Sequence, residues 1–546
     1  MKAGGSRGLL LLAGAAFLLR LLTLGVLPLF DSTEGRYAEI GREMAESGNW
    51  ITPTLHGGEP FWAKPPLHFW LTGIAIRAFG ANEWAARLPS LLAAVLTLWV
   101  VARGARRAVG EEEARLAAAL LGTSGLFFLL AGTVILDVTF ALCTTAALLA
   151  FLDRAARPGG RAAGLLFFLA IGLGLLAKGP TMLVLVFGPV ALWCAARRSA
   201  RPLLGLPWGP GLLLALAVAG PWHLLAERAT PGFWNYYFIH EHILRYLRPE
   251  YGDRYGHGHV SPYGLVWVLA FASFLPWTGA LLRAAGREFG RRGGDSAAAE
   301  SEGDAPAGDA PTRAFLWIAA LFPLVFFTFS RSLSLPYVLP SLPFFALLVA
   351  REGRRGGFLP RWSAPLAGGV VAGGAVYALI AFDATAREGA LLLAVPAVLA
   401  ALLFAAARSK REGALVAAHA ALFPAFVLGA SFALPPAATE SKSTRHLARA
   451  MAAEGMAAEG GAPEILFYGS VPPSAEFYFR GRTAPLEQSP EALALALGGG
   501  ERVVVFRKGR EREISDAFEI RESARGPEGG YRAYFVRSRG AGAPER

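Results

Sequence analysis

Two carboxylates stand directly beyond a hydrophobic run that is long enough to span a bilayer. The run covers residues 9–29, and Asp31 and Glu34 open the stretch DSTEGRYAEIGREMAES that follows it. A carboxylate at this place could serve as the general base when a nucleophile attacks an electrophilic carbon. A polar residue at a helix start also caps the helix without any chemistry. The residues alone leave both interpretations open for Asp31 and Glu34.

The rest of this stretch carries charges at helical spacing, with Tyr37 among them. Glu39, Arg42, Glu43 and Glu46 are three or four residues apart, and side chains at this spacing pair on one face of a helix. We interpret these four residues as the ion pairs of a surface helix rather than as reacting groups.

Three further residues have a functional and a structural interpretation. Lys64 precedes two prolines in KPPLHFW; it is either a counter-ion for phosphate or a lysine that snorkels to the membrane interface. Asp137 ends the apolar run GTVILD; it either caps a helix or acts in a site, because a charge at membrane depth is costly. Tyr337, in SRSLSLPYVLP, lies in a turn where a tyrosine commonly belongs to the interfacial belt.

A segment rich in aromatic and basic residues, FWNYYFIHEHILRYLRPEYGDRYGHGH, offers both cations and histidines. Arg245 presents a planar pair of donors that suits a phosphate. His240 and His242, and likewise His257 and His259, suggest a metal, but no clear further ligands accompany them. We therefore interpret the segment as an amphipathic loop at the membrane interface.

The composition places the chain among membrane proteins with several spans. Of its 546 residues, 54% are hydrophobic and only 17% are charged, which exceeds the apolar content of ordinary soluble domains. The net charge of +12 therefore bears on membrane orientation, and we expect no nucleic-acid partner. Cys143 and Cys194 lie in apolar runs, which argues against a disulfide framework. We interpret the N-terminal run as a retained anchor, since it lacks a small-residue cleavage site.

Hydropathy predicts about thirteen spans of ~20 residues each. Basic clusters follow every second span, so those loops and the N-terminus are expected in the cytoplasm. The loops 31–87 and 227–261, together with Asp137, Lys178 and the turn before Tyr337, then share the periplasmic side. The predicted spans centre near 9–29, 88–102, 114–132, 138–152, 163–177, 180–196, 210–226, 262–282, 314–330, 336–350, 364–382, 389–407 and 414–433.

Two regions depart from the pattern of spans. Residues 292–313 are rich in Gly, Ala, Pro and acids, which predicts a flexible cytoplasmic linker. From about residue 435, the runs EILFYGS, AEFYFRG, ERVVVFRKG and YRAYFVR predict strands, with helical patterns near 441–458 and 490–497. The expected fold is an all-α polytopic membrane domain, residues 1–434, followed by a small soluble α/β domain, residues 435–546, in the periplasm.

Seven motifs stand in order between residues 36 and 343: RYAEIGREM (36–44), SGNWITP (47–53), KPPLHFW (64–70), ANEWAARLPS (81–90), LAKGP (176–180), EHILRY (241–246) and LPYVLPSLP (335–343). In this combination the chain resembles the polytopic C-type glycosyltransferases that use polyprenyl-phosphate sugars. Within that family it is similar to the aminoarabinose transferase of lipid A modification and to the protein O-mannosyltransferases.

The resemblance implies a bundle whose loop helices cover a cavity for the lipid donor. It implies transfer of a hexosyl or pentosyl unit from polyprenyl phosphate to a lipid or glycan acceptor, such as lipid A, at the bacterial inner membrane. Cations would neutralise the leaving phosphate, and an acid would orient or deprotonate the acceptor. The expected donor-binding residues are Tyr37, Lys64, Arg245 and Tyr337, and the expected catalytic acids are Asp31, Glu34 and Asp137.

The sequence departs from the family pattern at Thr33, Ala63 and Leu333. The first two replace acids, which weakens the case for a divalent-metal site without excluding it. The sequence therefore assigns no cofactor with certainty and no metal ligand. Leu333 replaces a lysine. The sugar and the acceptor stay open.

Two other functions remain as alternatives. A transporter or flippase for lipid-linked sugars would also hold phosphates, and would carry internal repeats or acids near mid-membrane. A non-catalytic envelope assembly protein would depend on its C-terminal domain rather than on Asp31, Glu34 or Lys64.

Overall fold

The structure of the chain is a computed structural model. It describes residues 3–31, 33–55, 58–245, 261–290, 309–353, 359–360, 362–381, 394, 397–399, 401–406, 408, 412–434, 442–453, 465–498, 500–507, 509–514, 516–525 and 530–539. The predicted linker 292–313 lies outside these ranges up to residue 308, and its last residues begin a helix.

Apolar helices dominate the first part of the chain, because a helix satisfies its own backbone hydrogen bonds within a lipid environment. In chain order these helices are α1 (Ala3–Thr23), α2 (Thr33–Ser47), α3 (Leu67–Phe79), α4 (Glu83–Gly104), α5 (Arg106–Val109), α6 (Glu111–Gly122), α7 (Gly125–Leu130), α8 (Leu136–Ala156), α9 (Arg161–Lys178), α10 (Thr181–Ala196), α11 (Arg201–Leu204), α12 (Trp208–Ala229), α13 (Leu265–Ser273), α14 (Thr278–Gly290), α15 (Asp309–Thr328), α16 (Leu342–Glu352), α17 (Ser363–Ala381) and α18 (Glu412–Ala433), with a π-helix at Asn235–Leu244 and a 3₁₀-helix at Leu335–Ser341.

Eight spans within the described residues are long and apolar enough to cross a membrane, and the pair α13 and α14, bent by 116°, makes a ninth if it counts as one span. The chain is therefore a multi-pass membrane protein. The predicted run 114–132 folds as two short helices, α6 and α7. The run 180–196 is a shorter apolar helix of 16 residues. Of the predicted span 389–407, the structure describes residues 394, 397–399 and 401–406.

The first loop folds back against the bundle. Helices α2 and α3 pack on each other, and a short hairpin of β1 (Thr54–Leu55) and β2 (Glu59–Pro60) lies between them in the chain. The two helices meet at Gly41 and Gly73; a Cβ on Gly41 would stand 2.6 Å from Thr72 Cγ2. Glycine therefore permits the close approach that buries one face of α2.

The C-terminal part forms a mixed five-stranded sheet in the order β4-β3-β5-β7-β6. Side chains of β5 alternate between two apolar clusters, one on each face: Val503 and Val505 on one, Val504 and Phe506 on the other. The prediction of an α/β fold here is confirmed, while the boundary at residue 435 stays a prediction. The strand predicted for AEFYFRG is wrong, because its first residues belong to the helix Pro473–Tyr478. The elements are α19 (Arg445–Ala453), β3 (Ile465–Tyr468), α20 (Pro473–Tyr478), β4 (Thr483–Leu486), α21 (Pro490–Leu497), β5 (Arg502–Arg507), a 3₁₀-helix (Arg510–Glu513), β6 (Phe518–Arg525) and β7 (Tyr531–Ser538).

Candidate functional site

A cavity of about 450 Å³ lies where the first loop, the C-terminal end of α9, the π-helix and the 3₁₀-helix meet. One part of its wall is apolar, with Val184, Phe238, Ile243, Phe326 and Phe327. The rest is polar and basic. A cavity with both kinds of wall suits a ligand that joins a hydrocarbon chain to an anionic group. The polar lining residues are Lys64, Lys178, Thr181, Glu241, His242, Arg245, Ser330, Ser332 and Tyr337.

Two cations of this cavity share one carboxylate. Arg245 Nη1 donates to Glu241 Oε1 at 2.6 Å, and Lys64 Nζ donates to the same oxygen. Lys64 also donates to its neighbour's carbonyl, Ala63 O, at 2.9 Å. Burial raises the pKa of Glu241, but Lys64 and Arg245 outweigh that effect and hold the pKa below its usual value. The carboxylate is therefore ionised, and the structure brings Lys64 and Arg245 together; their role in binding a phosphate stays a prediction.

A second ion pair connects Asp137 to the same cavity. Lys178, the last residue of α9, donates from Nζ to Asp137 Oδ1 in the first turn of α8. The same ammonium lies 4.1 Å from the ring centroid of Tyr337, a cation–π contact. Asp137 and Tyr337, expected separately from the sequence, thus meet through Lys178.

The turn after α9 fixes the position of Lys178. Gly179 has φ +74°, and a Cβ there would stand 2.9 Å from His242 Nε2 and 3.0 Å from Tyr237 Cζ. His242 Nδ1 lies 2.6 Å from Tyr237 O, and its Nε2 lies 3.3 Å from Lys178 O. Burial lowers the pKa of His242, and the contacts of the ring with the two carbonyl oxygens oppose that shift. The π-helix therefore holds the backbone of Lys178 in place.

Tyr37, expected as a donor-binding residue, does not line the cavity. The residue is buried and packs against Phe69, with ring centroids 5.3 Å apart. Burial raises the pKa of Tyr37, and the nearby Asp137 raises it further. The phenol is therefore a neutral group close to the polar residues of the cavity.

Asp31 binds the C-terminal part of the chain. Its carboxylate accepts from Ser474 N at 2.7 Å and from Ser474 Oγ at 2.9 Å. Its own backbone N–H donates to Lys442 O at 2.8 Å. Burial raises the pKa of Asp31 to about 6, although the hydrogen bonds from Ser474 oppose the shift.

Glu34 forms a buried ion pair. Arg87 Nε donates to Glu34 Oε1 at 2.8 Å and Arg87 Nη2 donates to Oε2 at 2.9 Å. The backbone N–H groups of Phe30 and Val134 also donate to this carboxylate. Burial raises the pKa of Glu34, and Arg87 more than compensates, so the pKa lies below its usual value. Within the described residues, neither Glu34 nor Asp31 lines the cavity, and their predicted catalytic role stays a prediction.

The charges farther along α2 form the ion pairs that their spacing predicts. Arg42 Nη2 donates to Glu39 Oε1 at 2.6 Å, and Arg42 Nη1 pairs with Glu46. Arg42 and Glu39 are buried, however, so α2 is not a surface helix. The sequence could not reveal this burial because it depends on what covers the helix.

The structure gives no support to a metal site in the part of the chain that it describes. No group of three His, Cys, Asp or Glu residues there has the arrangement of a metal site. The pair His257 and His259 lies outside the described residues. Of the departures from the family pattern, Thr33 is exposed, and Leu333 is buried.

Two charged residues of the cavity were not predicted as site residues: Lys178, which the sequence placed only on the periplasmic side, and Glu241. Both lie inside motifs on which the resemblance depends, LAKGP and EHILRY. A lysine that ends a long apolar run was a further signal, because a charge there needs a partner.

The chain is similar to known proteins in sequence and in fold. A family model for dolichyl-phosphate-mannose-protein mannosyltransferases matches residues 63–224. A relative from Sodalis glossinidius, undecaprenyl phosphate-alpha-4-amino-4-deoxy-L-arabinose arabinosyl transferase 1, is 35% identical over 369 residues, which are 65% of this chain and 60% of the relative. The corresponding transferase from Erwinia tasmaniensis is 29% identical over 61% of this chain and 57% of the relative. The matches thus span less than two thirds of these relatives.

A solved structure covers nearly the whole chain. ArnT from Cupriavidus metallidurans, bound to undecaprenyl phosphate, matches with a TM-score of 0.75 and 22% identity, over 98% of this chain and 99% of that protein. The expected fold class is confirmed: an all-α polytopic bundle of the C-type glycosyltransferase kind with a small C-terminal α/β unit.

Proposed function

We propose that the chain is a glycosyltransferase of the bacterial inner membrane that takes a sugar from a polyprenyl-phosphate donor. One observation carries the proposal: Lys64 and Arg245 both donate to one carboxylate oxygen of Glu241, in the wall of a cavity that is partly apolar. Paired cations beside apolar walls suit the phosphate and the hydrocarbon chain of such a donor. The relatives, which carry the name undecaprenyl phosphate-alpha-4-amino-4-deoxy-L-arabinose arabinosyl transferase, support the same donor class.

In the proposed reaction, a hydroxyl of the acceptor attacks the anomeric carbon of the sugar. The bond from that carbon to the phosphate oxygen breaks, and polyprenyl phosphate leaves with the electron pair. Lys64 and Arg245 neutralise the charge that develops on the phosphate, and the Tyr337 hydroxyl donates a hydrogen bond to it. The proton of the acceptor passes to a carboxylate or to the leaving phosphate.

We assign the acid at the cavity to Asp137, because Lys178 connects its carboxylate to the cavity wall. Asp137 would orient the acceptor or the sugar. For Asp31 and Glu34, predicted as acceptor-activating groups, the contacts with Ser474 and Arg87 support a second role, which is to hold the first loop in place.

We further propose that the cavity opens to the periplasm, that the N-terminus is cytoplasmic and that the C-terminal α/β unit is periplasmic. The basic clusters after alternate spans support this orientation, since arginine and lysine concentrate on the cytoplasmic side. The acceptor would then be a lipid such as lipid A or another glycan of the envelope.

The test is mass spectrometry of lipid A and of other envelope glycans from cells with and without the gene. We expect a sugar-sized mass increment that is lost in the deletion strain and in a Lys64→Ala strain. An Arg77→Ala strain is the matched control, because Arg77 is exposed and does not line the cavity. An unchanged lipid A with a change in another glycan would keep the enzyme class and replace the acceptor. No change in any glycan would favour the transporter or the assembly protein.

A further inference from the structure

Glu241 is an unexpected neighbour for two phosphate-binding cations. Its side chain is 4% exposed, whereas those of Lys64 and Arg245 are 19% and 26% exposed. The carboxylate therefore lies deeper than the cations, and both cations reach into the cavity while their charge is already paired. An anionic ligand that binds Lys64 and Arg245 has to compete with this internal carboxylate.

The charge of the site limits how firmly an anion can be held. Lys64, Lys178 and Arg245 contribute three positive charges, and Glu241 and Asp137 contribute two negative charges, so these five groups leave one net positive charge. A sugar phosphodiester carries one negative charge, while the phosphate monoester that leaves after transfer carries up to two. Without Glu241, the same site would carry two net positive charges. It would then match the charge of the phosphate monoester product rather than that of the phosphodiester donor.

We propose that Glu241 competes with the phosphate for the donors of Lys64 and Arg245 and lowers the affinity for the spent polyprenyl phosphate, so that the product is released. The inference rests on the proposed function and adds a regulation of the same site. The carboxylate acts by competition: when the phosphate arrives it takes the donors of Lys64 and Arg245, and when the phosphate leaves Glu241 takes them back.

Equilibrium binding of undecaprenyl phosphate to the purified full-length chain in lipid nanodiscs tests the inference. The variants are Glu241→Gln, Glu241→Asp and Lys64→Ala, and undecaprenol is the ligand without a phosphate. Glu59→Gln is the matched control, because it removes one negative charge from an exposed position in the first loop that does not line the cavity. Thermal unfolding of each variant reports whether it is folded.

We expect Glu241→Gln to bind undecaprenyl phosphate about tenfold more tightly than the wild type, the factor that corresponds to 1.4 kcal/mol. Glu241→Asp should show a smaller gain, because its shorter side chain pulls the carboxylate away from the cations. Undecaprenol binding and the Glu59→Gln variant should match the wild type. If Glu241→Gln does not fold, the Glu241→Asp variant decides alone.

Two results would overturn the inference in distinguishable ways. If Lys64→Ala weakens binding of undecaprenyl phosphate but both Glu241 variants bind it no more tightly than the wild type, Glu241 does not compete with phosphate and the proposed function stands. If the wild type binds undecaprenyl phosphate and undecaprenol equally and Lys64→Ala changes neither, the proposed function fails and the inference fails with it.

Discussion

The Asp31 carboxylate accepts two hydrogen bonds from Ser474, a residue 443 positions away in the chain. Other polar contacts surround this pair: Arg445 Nη1 donates to Glu83 Oε1 at 3.1 Å, and the Tyr478 hydroxyl accepts from Leu29 N at 2.8 Å. The C-terminal unit is therefore attached to the start of the first loop by buried hydrogen bonds. This attachment gives Asp31 a structural task beside its predicted catalytic one.

Ser474→Ala tests the structural task of Asp31. The change keeps the backbone donor but removes the hydroxyl, which donates to Asp31 and also accepts from Thr444 N at 3.1 Å. We expect the free energy of unfolding to fall by at least about 1.5–3 kcal/mol, the usual worth of a hydrogen bond to a charged group. Sugar transfer should persist, because Ser474 does not line the cavity. The measurements are denaturant unfolding and a transfer assay.

Asp31→Asn is the companion variant. If it abolishes transfer while its stability equals that of Ser474→Ala, Asp31 is a catalytic group. If the two variants are alike in both measurements, Asp31 holds the loop.

The protonation of Asp31 should contribute to the pH dependence of stability. Its pKa is raised from 3.8 to about 6 in the folded chain, so the folded chain takes up a proton between about pH 6 and pH 4 that the unfolded chain does not. This group therefore favours the folded state increasingly as the pH falls from 7 toward 4. Thermal unfolding of the wild type and of Asp31→Asn should show the Tm difference moving in favour of the wild type at pH 5 relative to pH 7. A difference that stays constant, or moves the other way, contradicts the prediction.

Glu34→Gln should destabilise the protein strongly. It leaves the buried guanidinium of Arg87 without its carboxylate, and breaking a buried ion pair from one side costs about 3–5 kcal/mol. The double variant Glu34→Gln with Arg87→Met should regain part of that loss, because it buries no unpaired charge. A double-mutant cycle by thermal unfolding measures the coupling. Full stability of Glu34→Gln together with complete loss of transfer would instead support Glu34 as the activating base.

Much of the cavity could be predicted from the sequence because its residues belong to short motifs whose chemistry is local. Lys64 before two prolines and Arg245 in an aromatic segment were expected to hold one phosphate, and the structure places both on one oxygen. Tyr337 and Asp137 were expected nearby, and both contact Lys178. The positive-inside pattern had already predicted that these loops share one side of the membrane.

The partners of the charges could not be predicted, because they depend on contacts far apart in the chain. The residues around Asp31 do not predict its contact with Ser474. The residues around Glu34 likewise do not predict its ion pair with Arg87, which is 53 residues away. The burial of side chains could not be predicted either. Helix α2 has the charge spacing of an exposed helix, yet Glu39 and Arg42 are buried. A motif reveals which groups a site contains; the tertiary packing decides which of them face the cavity.

Asp137→Asn should separate chemistry from binding. The change removes a negative charge beside Lys178, so the site becomes more positive and should bind undecaprenyl phosphate at least as tightly as the wild type. We expect kcat to fall by about 100-fold, the effect of removing one group that acts on the reacting atoms. Lys64→Ala is the contrasting variant, since it should weaken binding. An Asp137→Asn variant with normal kcat would exclude Asp137 from the reaction.

Gly179→Ala should misplace Lys178 without touching any charge. The residue has φ +74° and ψ −151°, a region that is essentially confined to glycine and costs an L-residue about 1–3 kcal/mol, and the added Cβ meets His242 and Tyr237. The turn must shift to relieve this contact, which moves Lys178 away from Asp137 and Tyr337. We expect transfer activity to fall together with a modest loss of stability. Gly209→Ala is the matched control: no heavy atom lies within 4 Å of its Cβ position, and alanine suits the helix α12. If Gly179→Ala transfers sugar at the wild-type rate, the position of Lys178 does not depend on this turn.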